Sequence, residues 1–122
     1  MAGNGRVVVG CSQGDEDPDT VAVAYLTAGA ALDNGKEVVM WLTSGGVRLG
    51  LQGYADRIRA DKDPPAERLH AQFIEKVGHF YVCPICFKER DLNEDELVEN
   101  AELKGASPLM DFAGDGALTF TY

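Results

Sequence analysis

The chain has little positive charge. Its 122 residues include 11 lysines and arginines against 20 aspartates and glutamates, which gives a formal net charge of -9 at pH 7. Nucleic-acid backbones and anionic membrane surfaces are bound through clustered lysine and arginine. We therefore expect no nucleic acid and no membrane among the partners of this protein. A basic partner surface is compatible with the charge, which otherwise favours solubility.

Long apolar runs, repeats and low-complexity tracts are also missing. No run reaches the ~20 apolar residues that cross a bilayer. The N-terminal residues lead directly into the strand-like Val7-Val8-Val9, without the longer apolar core of a signal peptide. The chain length fits one domain, residues 1–122. These features predict a single cytoplasmic domain.

Short apolar strands alternate with helices along the chain. The first three strands have almost no polar alternation, as expected for strands covered on both faces. This order predicts an α/β fold with a mainly parallel five-stranded sheet and helices on both faces. The predicted strands lie near Arg6–Cys11, Lys36–Leu42, His79–Val82, Asn100–Gly105 and Ala117–Tyr122. The predicted helices begin at Pro18, Pro65, Pro84 and Ser107, with a short one around Tyr54–Arg59. The first is predicted to end near Asp33. The helix from Pro65 is predicted to end at Gly78, with an apolar face of Leu69, Phe73, Ile74 and Val77.

Polar or cysteine-containing turns follow the three best strands. In parallel α/β folds, functional sites lie beyond the carboxyl ends of the strands. If the three strands are neighbours, their turns surround one crevice. The Gly45-Gly46 turn exposes backbone N–H groups and predicts an anion-binding nest, with a tight β–α turn as the alternative. The predicted crevice residues are Cys11, Ser12, Ser44, Gly45, Gly46 and Arg90.

The turn after the third strand reads Cys83-Pro84-Ile85-Cys86. Proline suits the first position of a helix, so Cys83 is predicted as the N-cap residue and Cys86 falls in the first turn. A thiolate at Cys83 would face the free N–H groups of Ile85 and Cys86, and helix N-termini favour the thiolate form. We predict Cys83 as a nucleophile and Cys86 as its resolving or regulating partner.

Other interpretations fit the same cysteines. Cys83 and Cys86 have the spacing of a dithiol oxidoreductase. Together with Cys11 and His79 they would supply four metal ligands, although zinc sites usually have two paired ligand knuckles, so we expect no metal. All three cysteines would otherwise be small buried residues. A further alternative is a non-catalytic assembly or regulatory module, with Trp41 and Tyr54 at an interface.

The sequence resembles the DsrE/DsrF-like family, the group of DsrE, TusD and YchN-type sulfur-relay proteins. The resemblance covers nearly the whole chain. It rests on the early Val-Val-Val-Gly-Cys-Ser strand with its Asp-rich turn (residues 14–19), on the segment of residues 38–47, and on residues 81–86 followed by Arg90. The glycine turn and the cysteine segment together carry most of its specificity.

This resemblance implies a three-layer α/β/α sandwich, and a sulfurtransferase or sulfur carrier that needs no cofactor. It implies homo-oligomers, as trimers or hexamers, and sulfur donor and acceptor proteins or small thiols as partners. The position that matches the family's persulfide-carrying cysteine is Cys83. Cys86 matches a second cysteine of some members, so the resemblance gives it no role. Many members have Arg-Gly after the helix, where this chain has Arg90-Asp91.

Overall fold

The computed structural model describes residues 3–58 and 65–122. The Arg59 end of the short helix predicted around Tyr54 falls outside the described residues. In chain order, the strands are β1 (Arg6–Cys11), β2 (Glu37–Leu42), β3 (His79–Val82), β4 (Ala101–Leu103) and β5 (Leu118–Thr121). The α-helices are α1 (Pro18–Asp33), α2 (Ala66–Glu75), α3 (Pro84–Glu89) and α4 (Ala106–Ala113). Three 3₁₀ helices cover Ser44–Gly50, Tyr54–Arg57 and Glu94–Glu96.

The five strands form one sheet in the order β4-β3-β2-β1-β5, and every pairing is parallel. The predicted fold class is confirmed. The chain moves from β1 to β4 in one direction across the sheet, and then returns past β1 to add β5 at the opposite edge. Crossovers between parallel strands are right-handed, so reversing the direction of travel moves the connecting helix to the other face. This is why α4 lies opposite α1 and α2.

The two faces of the sheet are covered unequally. One face carries the main core, in which Tyr25 of α1 and Phe73 of α2 pack on Phe80 of β3. The opposite face has a small cluster in which Leu109 of α4 covers Val8 and Val39. Helix α4 leaves the aromatic residues around this small cluster only partly buried. In the described part of the chain, no helix is long and apolar enough to cross a membrane.

Helix α2 is shorter than its apolar pattern predicts. We expected Val77 on its apolar face, but the helix ends at Glu75 and Val77 is 67% exposed. Val77 instead adopts a left-handed backbone conformation with φ of 66°. The reason lies one residue further on, because a side chain at Gly78 would collide with the ring of Phe73. The chain therefore turns sharply here to enter β3.

The carboxyl ends of β1, β2 and β3 lie side by side, as the sequence predicts. The amide of Thr43 donates to the carbonyl of Cys11 at 3.2 Å, and the amide of Cys83 donates to the carbonyl of Leu42 at 2.9 Å. These bonds continue the parallel ladder one residue beyond each strand. The three turns singled out in the sequence therefore leave the sheet along one edge.

Candidate dithiol site

Helix α3 begins where the sequence predicts. Cys83 is its N-cap residue, with extended φ and ψ of -60° and 117°, and Pro84 occupies the start of the helix. The Phe87 amide donates to the Cys83 carbonyl at 3.0 Å. Phe87 is 2% exposed and anchors the six-residue helix to the main core. Burial of this one ring fixes the turn that presents the two cysteines.

The two cysteines of this turn contact each other. Both are free thiols and both are half-buried. The side chain of Cys83 makes no capping hydrogen bond to the helix, contrary to our expectation that it faces the N–H groups of Ile85 and Cys86. The Cys83 thiol instead raises the pKa of the Cys86 thiol, so the two side chains lie close together. The N-cap and N3 side chains of a helix lie next to each other, and this proximity explains the contact.

Cys86 has the more elaborate surroundings of the two. Burial raises the pKa of the Cys86 thiol and the Cys83 thiol raises it further, whereas a backbone hydrogen bond from Ser44 and the charge of Arg90 lower it. Arg90 is held in place because its Nη1 donates to the Cys86 carbonyl at 3.1 Å. The Cys86 sulfur is thus favoured as a neutral thiol, with two groups at hand that stabilise negative charge.

Ser44 presents its amide to Cys86 through an unusual backbone conformation. Its φ is 49°, in the left-handed region that a serine rarely occupies. It opens the 3₁₀ helix Ser44–Gly50, which is the form that the predicted glycine turn takes. Non-glycine residues held in this region are a recognised feature of functional sites.

The glycine turn packs against the end of β1 and against Glu16. A side chain at Gly46 would collide with the Cys11 carbonyl. A side chain at Gly45 would lie 3.4 Å from Oε1 of Glu16, and that same oxygen accepts from the Gly14 amide at 2.8 Å. The Glu16 carboxylate therefore lies against the turn, where it would repel an incoming anion.

Cys11 and Ser12 lie at the same edge of the sheet but do not join the thiol pair. Cys11 is 1% exposed, and its Sγ donates to the Gln13 carbonyl at 3.5 Å. Burial, and to a lesser extent the charges of Glu16 and Asp17, raise the pKa of the Cys11 thiol. The Ser12 hydroxyl bonds to the carbonyl of Tyr122, beyond β5.

The described residues do not bring together the four ligands considered for a metal. His79 begins β3 and Cys83 follows its end, so about 13 Å of strand separates them. Cys11 is the last residue of β1, two strands away from β3 or roughly 10 Å. Over residues 3–58 and 65–122, no group of three or more histidine, cysteine, aspartate or glutamate side chains is placed to hold a metal ion.

Of the predicted residues, the structure brings Cys83, Cys86, Ser44 and Arg90 together. Gly45 and Gly46 lie between this group and the buried Cys11. The sequence analysis missed the placement of Glu16 against the glycine turn. Its signal was the acidic run after β1, which entered the sequence analysis only as part of the family resemblance.

The geometry defines a class: a parallel α/β domain that carries a pair of free thiols on a helix start at the carboxyl edge of its sheet. The sequence model of the DsrE/DsrF-like family matches residues 6–122. The chain therefore belongs to the DsrE/DsrF-like family, and the predicted membership is confirmed.

Solved structures support the fold. The crystal structure of the YchN protein from Escherichia coli is similar over 100% of both chains, with a TM-score of 0.77 at 14% identity. A protein of unknown function from Methanobacterium thermoautotrophicum, MTH1491, is similar over 96% of this chain and 98% of its own, with a TM-score of 0.63 at 15% identity. At these identities the likeness concerns the fold alone.

One curated relative is similar in sequence. The uncharacterized protein MJ0760 from Methanocaldococcus jannaschii is 25% identical over 99 residues, which is 81% of this chain. The match spans 36% of the length of MJ0760, so the chain corresponds to about a third of that relative.

Proposed function

We propose that this protein carries sulfane sulfur as a persulfide on Cys83 and passes it to an acceptor thiol. The observation that carries the proposal is the half-buried Cys83 thiol on an exposed turn at the carboxyl edge of the sheet. Ile85 in the same turn is 68% exposed, so a partner's thiol has access to this surface. Membership of the DsrE/DsrF-like family supports this choice.

The relay involves no net oxidation or reduction. The Cys83 thiolate attacks the outer sulfur of a donor persulfide, a sulfur–sulfur bond forms at Cys83, and the donor leaves as its thiolate. An acceptor thiolate then attacks the outer sulfur of the Cys83 persulfide, and Cys83 leaves as a thiolate. Both steps are thiol exchange reactions, whose rates depend on the thiolate fraction and on access to the sulfur.

Loading of the purified protein with inorganic polysulfide, followed by intact mass measurement, tests the proposal. The Cys86→Ser variant should gain about 32 Da, the mass of one sulfur atom, in a form that a thiol reductant removes. The Cys83→Ser variant should gain nothing. The two variants differ only in which cysteine of the turn remains, so a gain confined to Cys83→Ser would contradict the assignment.

We further propose that the chain assembles into homo-oligomers of the trimer or hexamer type in the cytoplasm. The support is an apolar groove of about 470 Å³ between α1 and β5, which includes Leu26, Leu118 and Phe120. These three side chains are 41–49% exposed. Exposed apolar patches of this kind are typical of protein–protein contact sites.

A dithiol oxidoreductase is the second candidate, because the Cys83 and Cys86 thiols are in contact. Turnover of a small disulfide substrate by the wild-type protein, lost in both single serine variants, would favour it. Persulfide formation in Cys86→Ser, together with no turnover of the disulfide substrate by the wild-type protein, would favour sulfur carriage.

A further inference from the structure

The Cys86 thiol lies beside the proposed persulfide site. It contacts the Cys83 thiol, which is the group proposed to hold the sulfur. The contact follows from backbone geometry, because Cys83 is the N-cap residue of α3 and Cys86 lies three residues further on. Cysteine pairs with this spacing are the redox-active pairs of disulfide oxidoreductases.

We propose that, when no acceptor thiol is docked at Cys83, Cys86 discharges the Cys83 persulfide as hydrogen sulfide, so that the chain acts as a persulfide reductase in the presence of a thiol reductant. This inference rests on the proposed persulfide at Cys83. It assigns a catalytic function to the one cysteine of the site to which the family resemblance gives no role.

The reaction balances without an external oxidant. The Cys86 sulfur attacks the inner sulfur of the Cys83 persulfide, so a Cys83–Cys86 disulfide forms while the bond to the outer sulfur breaks. The outer sulfur leaves with the electron pair of that bond and takes up the proton that Cys86 gives up, forming H₂S. The sulfane sulfur is reduced, and the two cysteine sulfurs are oxidised to the disulfide. Two equivalents of an external thiol then restore the two cysteines and leave as a disulfide.

The surroundings of Cys86 suit this step. The Ser44 amide and the Arg90 guanidinium favour negative charge on the Cys86 sulfur as its proton leaves. Ser44 is held in a left-handed conformation, and Arg90 is tied to the Cys86 carbonyl, so both groups are in place before the reaction. Burial favours the protonated form of Cys86 at rest.

The neighbouring thiol competes effectively with thiols in solution. Two groups held in reactive geometry act as if one were present at very high concentration. Attack by Cys86 should therefore remove the persulfide faster than millimolar external thiol does. A long-lived persulfide on the wild-type chain would be incompatible with this arrangement.

To test this, wild type and Cys86→Ser are loaded with polysulfide, which is then removed by desalting. Intact mass measurements over time then follow a single turnover. Cys86→Ser should keep the gain of about 32 Da. Wild type should lose that gain roughly tenfold faster or more, releasing sulfide and ending about 2 Da below the reduced mass. A reductant such as dithiothreitol should restore the reduced mass, so that sulfide release continues with further polysulfide.

Two results separate the inference from the function on which it rests. If wild type keeps its persulfide as long as Cys86→Ser does, or if the extra sulfur is found on Cys86, the discharge is contradicted while persulfide formation stands. If Cys86→Ser never gains sulfur, the proposed carriage on Cys83 fails first. Loss of the disulfide in Arg90→Met with normal loading would support the part assigned to that side chain.

Discussion

At the residue scale, the three cysteines differ in their access to solvent. Cys11 is 1% exposed in the main core, whereas Cys83 and Cys86 are half-buried at the edge of the sheet. We expect iodoacetamide to modify Cys83 and Cys86 in the native protein and to reach Cys11 only after denaturation. Peptide mapping of protein labelled with and without urea measures this difference. Labelling of Cys11 at the rate of Cys83 in the native protein would contradict the buried placement.

His70 is the second residue whose environment makes a prediction. Its Nδ1 lies 2.6 Å from the Tyr25 hydroxyl and its ring stacks on Phe80. Burial lowers the pKa of His70 to about 4, against a weaker opposing effect of Asp56. As the pH falls, His70 is therefore protonated in the unfolded chain before it is protonated in the folded protein. The contribution of neutral His70 to the free energy of unfolding is complete above pH 6.5 and is lost as the pH falls towards 4.

This loss is measurable by urea unfolding at several pH values. Between pH 7 and pH 4, wild type should lose roughly 3 kcal/mol more than His70→Gln, which has no group to titrate at this position. His79→Gln is the matched control, since His79 is exposed at the start of β3. Equal losses in wild type and His70→Gln would show that His70 is not the group responsible.

The residues of the site were predictable to different degrees. Cys83 as the N-cap residue follows from Pro84, because proline fixes the first helical position. The lack of a capping hydrogen bond from its side chain does not follow, since both the free amides and the second thiol lie within reach. The left-handed Ser44 and the placement of Glu16 depend on contacts between β1 and β2, which sequence spacing does not encode.

At the scale of elements, the turns that follow α2 and α3 each have a left-handed residue that is not glycine. Val77 follows α2 and has φ of 66°, and Asp91 follows α3 and has φ of 52°. Glycine adopts the left-handed φ of Asp91 without steric cost. Aspartate tolerates this region better than a β-branched residue does.

The two turns should therefore respond differently to glycine. Val77→Gly should raise the free energy of unfolding by about 1 kcal/mol, because the strain relieved exceeds the entropy that glycine adds to the unfolded chain. Asp91→Gly should change it by less than about 0.5 kcal/mol. Urea unfolding of both variants gives the comparison. A larger gain from Asp91→Gly than from Val77→Gly would contradict the assigned backbone conformations.

The elements themselves were largely predictable, and their ends were not. The strand near the start of the chain and the helix from Pro18 to Asp33 agree with the structure because apolar runs and caps mark both ends. The apolar periodicity of α2 ran on to Val77, and only the collision between a Gly78 side chain and Phe73 accounts for the earlier stop. Such a collision belongs to tertiary packing.

At the scale of the whole molecule, β5 leaves an edge of the sheet partly uncovered. The chain crosses the entire sheet to place β5 beside β1, and α1 does not extend far enough to bury Leu118 and Phe120. Alternating strands and helices predicted the parallel sheet, but this order of strands was not predictable from spacing. The partly covered edge makes a prediction about assembly.

We expect Phe120→Lys to shift the protein towards monomers in sedimentation velocity experiments. A charge in the groove between α1 and β5 would be costly to bury in a contact between copies. Met110→Lys is the matched control, because Met110 is 61% exposed on α4, at the opposite face of the sheet. A wild-type protein that stays monomeric at all concentrations would contradict the proposed assembly.

The central claim is that Cys83 holds the sulfur, and localisation by peptide mass tests it most directly. Trypsin should release residues 77–88, which contain Cys83 and Cys86, separately from residues 7–36, which contain Cys11. After polysulfide loading of Cys86→Ser and alkylation, we predict one additional sulfur on Cys83 in the peptide of residues 77–88. A fully loaded protein whose additional sulfur lies on Cys11, or an unmodified Cys83, would contradict the account.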